Sequence, residues 1–339
     1  MTLEGNTHTP LAGDGNAATI RYLSRSDVVN VGVSMAEVIA AVEAAFRCKG
    51  QGNVELPAKT AVHPGSPDSF IHAMPASIPE LQAVGVKWIA GYPENQGRGV
   101  PYINGLLILN DPATGIPTCV MDATWITAAR TAAASAVSAR YLARADSDRL
   151  AVLGCGVQGF AHLDALHRVL PSLTTVHAFD PDTSRAAALA AAGEEHGLRG
   201  IVAATPEDAV RGADVIVTAG PILHEPHATI RAGWLAKGAF ATAVDFDSYW
   251  HPAALAVLDL FTTDDVPQLD HFRALGYFRA IPPIAADLGQ LVTGAHPGRT
   301  DPAQRTMACN LGVAIDDVAV GALVLRAAEA RGLGVVLEL

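Results

Sequence analysis

Three cations in this sequence stand among apolar residues, where a charge is costly unless it is paired or used. Lys87 lies in Gly85-Val86-Lys87-Trp88-Ile89, Arg130 in Thr127-Ala128-Ala129-Arg130-Thr131-Ala132-Ala133, and Lys59 heads Lys59-Thr60-Ala61-Val62-His63. The planar fork of arginine holds a carboxylate at two points, and lysine supplies a compact charge that polarises a carbonyl or imine. Together they suit a small carboxylate-bearing substrate. The alternative, in which each side chain lies along a half-buried face with its head in water, stays open, above all for Lys59.

Two carboxylates, Asp245 and Asp247, follow the apolar run 239–244, where α/β sheets present groups to a ligand. Either one can exchange a proton with a substrate nitrogen or simply cap a turn. His224-Glu225-Pro226-His227 lacks metal-ligand spacing and Pro226 interrupts any helix, so no metal is expected. Cys48, Cys119, Cys155 and Cys309 show no CxxC spacing, which argues against a zinc site or disulfide framework and fits a reducing cytoplasm.

These groups need a scaffold, and residues 150–170 supply its centre. Leu150-Ala151-Val152-Leu153 reads as a strand, Gly154-Cys155-Gly156-Val157-Gln158-Gly159 as a tight turn, and Phe160, Leu163, Leu166, Val169 and Leu170 fall at helical spacing. Gly154 turns the chain, Gly156 lets backbone approach a pyrophosphate, and Gly159 packs the helix on the strand. The pyrophosphate would sit on the helix N-terminus. The next apolar run, Thr175-Val176-His177-Ala178-Phe179, ends in Asp180. An acid there accepts the ribose hydroxyls and repels a 2′-phosphate, which favours NAD(H); Arg185 close behind keeps NADP(H) possible. Further strand-like runs at 214–219 and 239–244, with helical stretches at 185–195 and 206–211, predict a doubly wound parallel sheet of the Rossmann type.

The rest of the chain predicts a second, α+β unit. Four segments broken by Pro and Gly, at 59–63, 69–74, 83–89 and 104–110, read as antiparallel strands, with a hairpin turn at 111–115. Ile20-Arg21-Tyr22-Leu23 is strand-like, Ser24 or Ser26 is a candidate cap for the helix through 35–46, and 125–144 reads as a helix linking the two units. A last helix, 313–330, shows an apolar stripe with Asp316, Asp317, Arg326 and Glu329 set off from it. It follows the nucleotide unit, so the first domain is expected to be discontinuous: 19–128 with 305–339, around a dinucleotide-binding domain at 129–304, after a flexible tail at 1–18. Half of the 339 residues are hydrophobic and 17% charged, enough for two cores, and a net charge of −11 disfavours nucleic acid or an anionic membrane as partner. Neither a membrane-length apolar run nor a signal peptide is evident, so a cytoplasmic protein is expected.

Several segments, in order along the chain, resemble the ornithine cyclodeaminase/mu-crystallin family. They are Val86-Lys87-Trp88 with Pro93-Glu94-Asn95 and Gly99-Val100-Pro101, Arg130-Thr131-Ala132-Ala133-Ala134-Ser135-Ala136, GCGVQG from Gly154, Thr218-Ala219-Gly220-Pro221, the strand leading to Asp247, Asp287-Leu288-Gly289 with Gly298-Arg299, and Gly312-Val313-Ala314-Ile315-Asp316-Asp317. The resemblance implies a homodimer whose first domain supplies both interface and substrate site. It makes Lys87, Arg130 and Lys59 the residues that hold and polarise the substrate, with Lys87 also catalytic, and Asp247 the catalytic acid/base, its pKa raised by burial. For the cofactor it implies contacts from Thr131, from the loop residues Gly154, Gly156, Val157, Gln158 and Gly159, from Asp180 and Arg185, and from Thr218, Ala219, Gly220 and Val244. Two departures stand near that site: Asp245 where the family often has glycine, and Cys309-Asn310-Leu311-Gly312 where cyclodeaminases carry a serine. The expected activity is an NAD(P)H-dependent imino-acid (ketimine) reductase or amino-acid dehydrogenase. The alternatives are an ornithine or lysine cyclodeaminase, with Asp245 facing the distal ammonium, and a non-catalytic NADPH-dependent binding protein.

Overall fold

A computed structural model describes residues 18–65 and 69–339. Of the tail expected at 1–18, all but Ala18 lies outside the described residues. The strands are β1 (Thr19–Leu23), β2 (Thr60–Val62), β3 (Phe70–Ile78), β4 (Ala83–Gly91), β5 (Ile103–Asn110), β6 (Pro117–Asp122), β7 (Arg149–Leu153), β8 (Thr175–Phe179), β9 (Arg199–Val202), β10 (Val215–Thr218), β11 (Phe240–Ala243), β12 (Leu260–Thr263), β13 (Ile284–Asp287), β14 (Thr306–Cys309) and β15 (Val335–Glu338). The α-helices are α1 (Arg25–Asn30), α2 (Met35–Gly50), α3 (Thr124–Leu142), α4 (Val157–Val169), α5 (Thr183–Glu195), α6 (Pro206–Val210), α7 (Pro252–Leu255), α8 (Val266–Ala274), α9 (Leu288–Thr293) and α10 (Ala314–Ala330).

They build two sheets. The first runs β15-β1-β6-β5-β4-β3-β2 and the second β13-β12-β14-β11-β10-β7-β8-β9. The second is parallel throughout, as the alternation of strands and helices requires. The first is antiparallel apart from the β1–β6 pair, which is parallel because β1 enters from the far N-terminus rather than through a hairpin. Ser24 and Ser34 each form a capping box, with Asp27 and Glu37, so two helices stand where one was expected after β1.

On the first sheet, α10 packs against β3, β4 and β5 and against α2, while β15 pairs with β1. The outer face carries Trp88 opposite Leu106, Val86 opposite Ile108, and Tyr22 beside Val120. Trp88 remains 49% exposed and Leu106 42%, a contiguous apolar face. One buried cluster runs from Ile39, Leu107 and Ile315 through α3 to Val152 and Phe240, joining the two sheets. The alanines of α3 let α2 and α4 approach it closely. This helix crosses 128/129 without a break, and β14, assigned to the first unit by a boundary at 305, lies between β11 and β12. That boundary therefore comes one strand early: β14 is four residues long and buried, with no flanking helix to announce it.

Candidate active site

The glycine loop joins β7 to α4 at the C-terminal edge of the parallel sheet. Gly154 has φ +98°, and a Cβ there would fall 2.5 Å from Ala219 O. A Cβ on Gly159 would overlap Gly154 O and reach 3.0 Å from Leu189 Cδ1. At Gly156 nothing lies within 4 Å of such an atom, so the loop is open there and closed at its neighbours. Gly156 is the N-cap of α4 and no side chain caps that helix, which leaves first-turn N–H groups for an anion. Val157 is largely exposed on this turn. Asp180 closes the edge: its carboxylate accepts Cys155 N–H at 2.8 Å and Asp182 N–H at 2.9 Å. Arg185 lies 3.5 Å from Asp182 with half of its side chain exposed.

Across the edge, Gln158, Ala219, Gly220 and Val244 line a cavity of about 540 Å³, which Lys59, Lys87, Arg130 and Thr131 also line. Thr218 does not reach it. Its hydroxyl donates to Asp245 Oδ1 at 2.7 Å and accepts from Trp250 Nε1 at 3.2 Å, beneath the strand end.

The three cations come from separate elements and converge. Lys87 points inward from β4, fully buried, and donates to Asp317 Oδ1 at 2.7 Å. Arg130 of α3 brings Nε to 3.0 Å from the same oxygen and Nη1 to 3.8 Å from Asp316 Oδ2. Lys59 donates to Leu311 O at 3.1 Å and lies over the Phe272 ring, 4.8 Å from its centroid. Burial pushes the Lys87 ammonium down to about 8, with Arg130 adding to the effect and Asp317 opposing it. Burial likewise lowers Lys59 to about 7, against the pull of Asp264. Burial and the neighbouring lysines hold His72, stacked on Phe70, near 3 and therefore neutral.

Asp316 and Asp317 are fully buried rather than set off toward solvent. Helical periodicity places an acid outward by default, but these two face cations delivered by β4 and α3. The signal was complementarity: two adjacent acids in one apolar helix and two isolated cations in other apolar segments. Burial holds Asp316 well above the carboxylate range, despite Arg130.

Neither strand-end aspartate lines the cavity. Val244 and Phe246 do; the chain bends here just past β11, with Phe246 at φ +62°, and Asp245 and Asp247 are not among the lining residues. Asp245 is fully buried and accepts Gly220 N–H at 2.9 Å as well as the Thr218 hydroxyl; burial pushes its carboxyl up to about 7. Asp247 is raised by burial, against the N–H of Phe278 and the nearby Arg279. Aromatic residues that sequence spacing did not mark, Phe70, Tyr102, Phe246, Phe272 and Tyr277, form much of the wall, and no described lining residue is acidic.

Known proteins are similar to this chain over nearly its whole length. The nodulation efficiency protein NfeD of Rhizobium meliloti is 38% identical over 323 residues, covering 95% of this chain and 99% of that protein. The Δ1-pyrroline-2-carboxylate reductase of Thermococcus litoralis, solved with NADH and L-proline, superposes with a TM-score of 0.84 at 28% identity, covering 93% of this chain and 99% of the other. An archaeal alanine dehydrogenase dimer with bound NAD also reaches a TM-score of 0.84, at 30% identity over 94% of this chain and 99% of its own. The ornithine cyclodeaminase/mu-crystallin family matches across residues 21–332, and the chain belongs to it.

Proposed function

We propose that this chain is an NAD(P)H-dependent imino-acid reductase, or an amino-acid dehydrogenase running the same chemistry in reverse, on a small carboxylate-bearing substrate. The observation that carries the reading is the convergence of Lys59, Lys87 and Arg130 on a cavity that the dinucleotide edge also lines, with no described acidic side chain in its wall.

The open space at Gly156, the uncapped α4 N-terminus and the amide-bonded Asp180 fit a dinucleotide. Its pyrophosphate would rest on the loop, its ribose hydroxyls on Asp180, and its nicotinamide beside Thr131, Gln158 and Val244. NADH is favoured over NADPH because Asp180 repels a 2′-phosphate. When bound, the cofactor supplies a hydride for the substrate α-carbon.

Arg130 and Lys59 grip the α-carboxylate, Arg130 at two points. Lys87, lowered to about 8, stays mostly protonated at neutral pH yet releases its proton readily, so it suits delivery to the imine nitrogen. Hydride at carbon and proton at nitrogen complete the reduction to the amine. Asp247, outside the cavity wall, is assigned to support of the 276–278 turn rather than to proton transfer. The cyclodeaminase alternative loses its acid for a distal ammonium, because Asp245 is spent on Thr218 and Gly220 beneath the wall.

We further assign substrate binding and dimerisation to residues 19–128 with the α10–β15 segment, and dinucleotide binding to the parallel sheet. The alanine dehydrogenase dimer supports a homodimer, and the exposed apolar outer face around Trp88 and Leu106 is the surface we assign to it. A cytoplasmic location is supported by four buried cysteines without disulfides, and no described helix is long and apolar enough to cross a membrane.

The test is oxidation of NADH and NADPH, followed by absorbance, with ammonia plus glyoxylate, pyruvate or oxaloacetate, and with preformed cyclic imines. Consumption above the substrate-free control is expected with at least one of them. Ammonia release from ornithine or lysine with catalytic NAD, and no net consumption, would replace this reading with a cyclodeaminase.

A further inference from the structure

Asp264 follows β12 and has no part in the mechanism above. Its side chain is fully buried, and Oδ2 accepts Gly312 N–H at 2.6 Å, while the Leu311 N–H beside it also favours the charged carboxylate. The turn so held supports two cations. Lys59 Nζ donates to Leu311 O, and the Arg130 guanidinium packs on Gly312 so closely that a Cβ there would lie 2.9 Å from Cζ. Gln268, one helical turn beyond Asp264, donates through Nε2 to Gly312 O at 3.0 Å. Resting on the reading of the cavity as an imino-acid site, we propose that Asp264 is a positioning residue that sets Lys59 and Arg130 for the substrate carboxylate through the Leu311-Gly312 turn.

The physical reason is twofold. The buried Gly312 N–H has this carboxylate as its acceptor, and leaving it without one would cost the group its full desolvation, so the turn is held in one place. The negative charge also favours the ammonium form of Lys59. Burial, Arg130 from α3 and Lys87 from β4 oppose it, and Asp317 from α10 assists. The remaining titratable groups lining the cavity are the imidazoles of His72 on β3, neutral, His63 after β2, His224 in the loop after β10 and His271 on α8, and the phenols of Tyr102 before β5 and Tyr277 after α8.

Asp264→Asn keeps the shape while removing the charge and one acceptor. In NADH-dependent imine reduction it is expected to raise KM for the imino acid about tenfold or more at pH 7, with kcat within about threefold of wild type. The alkaline fall of 1/KM should move about one pH unit lower, and the Kd for NADH, read by fluorescence, should stay unchanged. A wild-type KM and alkaline limb in D264N overturns the proposal, as does a parallel loss of NADH affinity, which would make Asp264 a support of the fold alone. If D264N does not fold, Gln268→Met frees Gly312 O without altering any charge. It should raise KM with the alkaline limb unmoved, and a wild-type KM in Q268M overturns the proposal. An inert wild type refutes the functional reading and the positioning role together, whereas an active wild type with an unaltered D264N refutes the positioning role alone.

Discussion

Gly312→Ala displaces one cation without touching its charge. Gly312 sits at φ +79°, which costs a residue with a Cβ about 1–2 kcal/mol, and the added methyl would lie 2.8 Å from Arg130 Nη2 and 2.9 Å from Cζ. The methyl would also overlap Arg130 Nη1; an ordinary contact of about 3.5 Å requires the guanidinium carbon to retreat at least roughly 0.6 Å and Nη1 to move further still. The same guanidinium has Asp317 Oδ1 at 3.0 Å from Nε and Asp316 Oδ2 at 3.8 Å from Nη1, ion pairs that a displacement disturbs. The fork must tilt, and one of its two bonds to a carboxylate is lost. A hydrogen bond between charged groups contributes about 1.5–3 kcal/mol, which converts to a rise in KM of about 10- to 150-fold. The assay compares KM for the imino acid with the Kd for NADH, which should not change, and with Tm, which should fall by only a few degrees. A folded G312A protein whose KM stays within about twofold of wild type would show that the carboxylate does not rest on Arg130, and the assignment of the cation cluster would fall with it.

Other consequences can be measured in the same assays. Because the lysine pKa values are lowered to about 7 at Lys59 and about 8 at Lys87, both ammonium forms are lost as pH rises through that window. Thus kcat/KM should decline from about pH 7 to 8, and a profile flat to about pH 9 contradicts the use of these lysines. Lys87→Met should lower kcat by about a hundredfold or more, while Asp247→Asn, outside the wall, should cost less than about tenfold; the reverse order would return the proton to Asp247. Asp180→Ser should shift the NADH:NADPH preference toward NADPH by about tenfold, and an unaltered ratio means the ribose is read elsewhere. Trp88→Glu, on the exposed apolar face, should yield monomers by light scattering, and a persistent dimer would place the interface on another surface.

The parts of the fold that were legible before the structure are those whose cause is local. Gly154, Gly156 and Gly159 each answer a different steric demand, so three glycines at those spacings describe a strand, a turn and a helix by themselves. The hairpin between β5 and β6 is written in Asp111, whose carboxylate accepts Ala113 and Thr114 N–H groups. The short strands β13, β14 and β15 are not local: four residues each, they exist because the strands beside them offer a ladder. The site divides the same way. Lys87 and Arg130 were conspicuous as charges among apolar residues, but their counter-ions lie about two hundred residues further on, in a helix whose periodicity points acids outward. Asp245 and Asp247 were correctly placed at a strand end, and only the facing of Val244 and Phe246 decides which side of that end meets the cavity. Position along a strand is a property of sequence, whereas the face that a strand end turns to a ligand is settled by what packs against the other one. Here that packing is Thr218, Trp250 and Phe278, which hold both acids inside the protein and leave the cations to face the cavity.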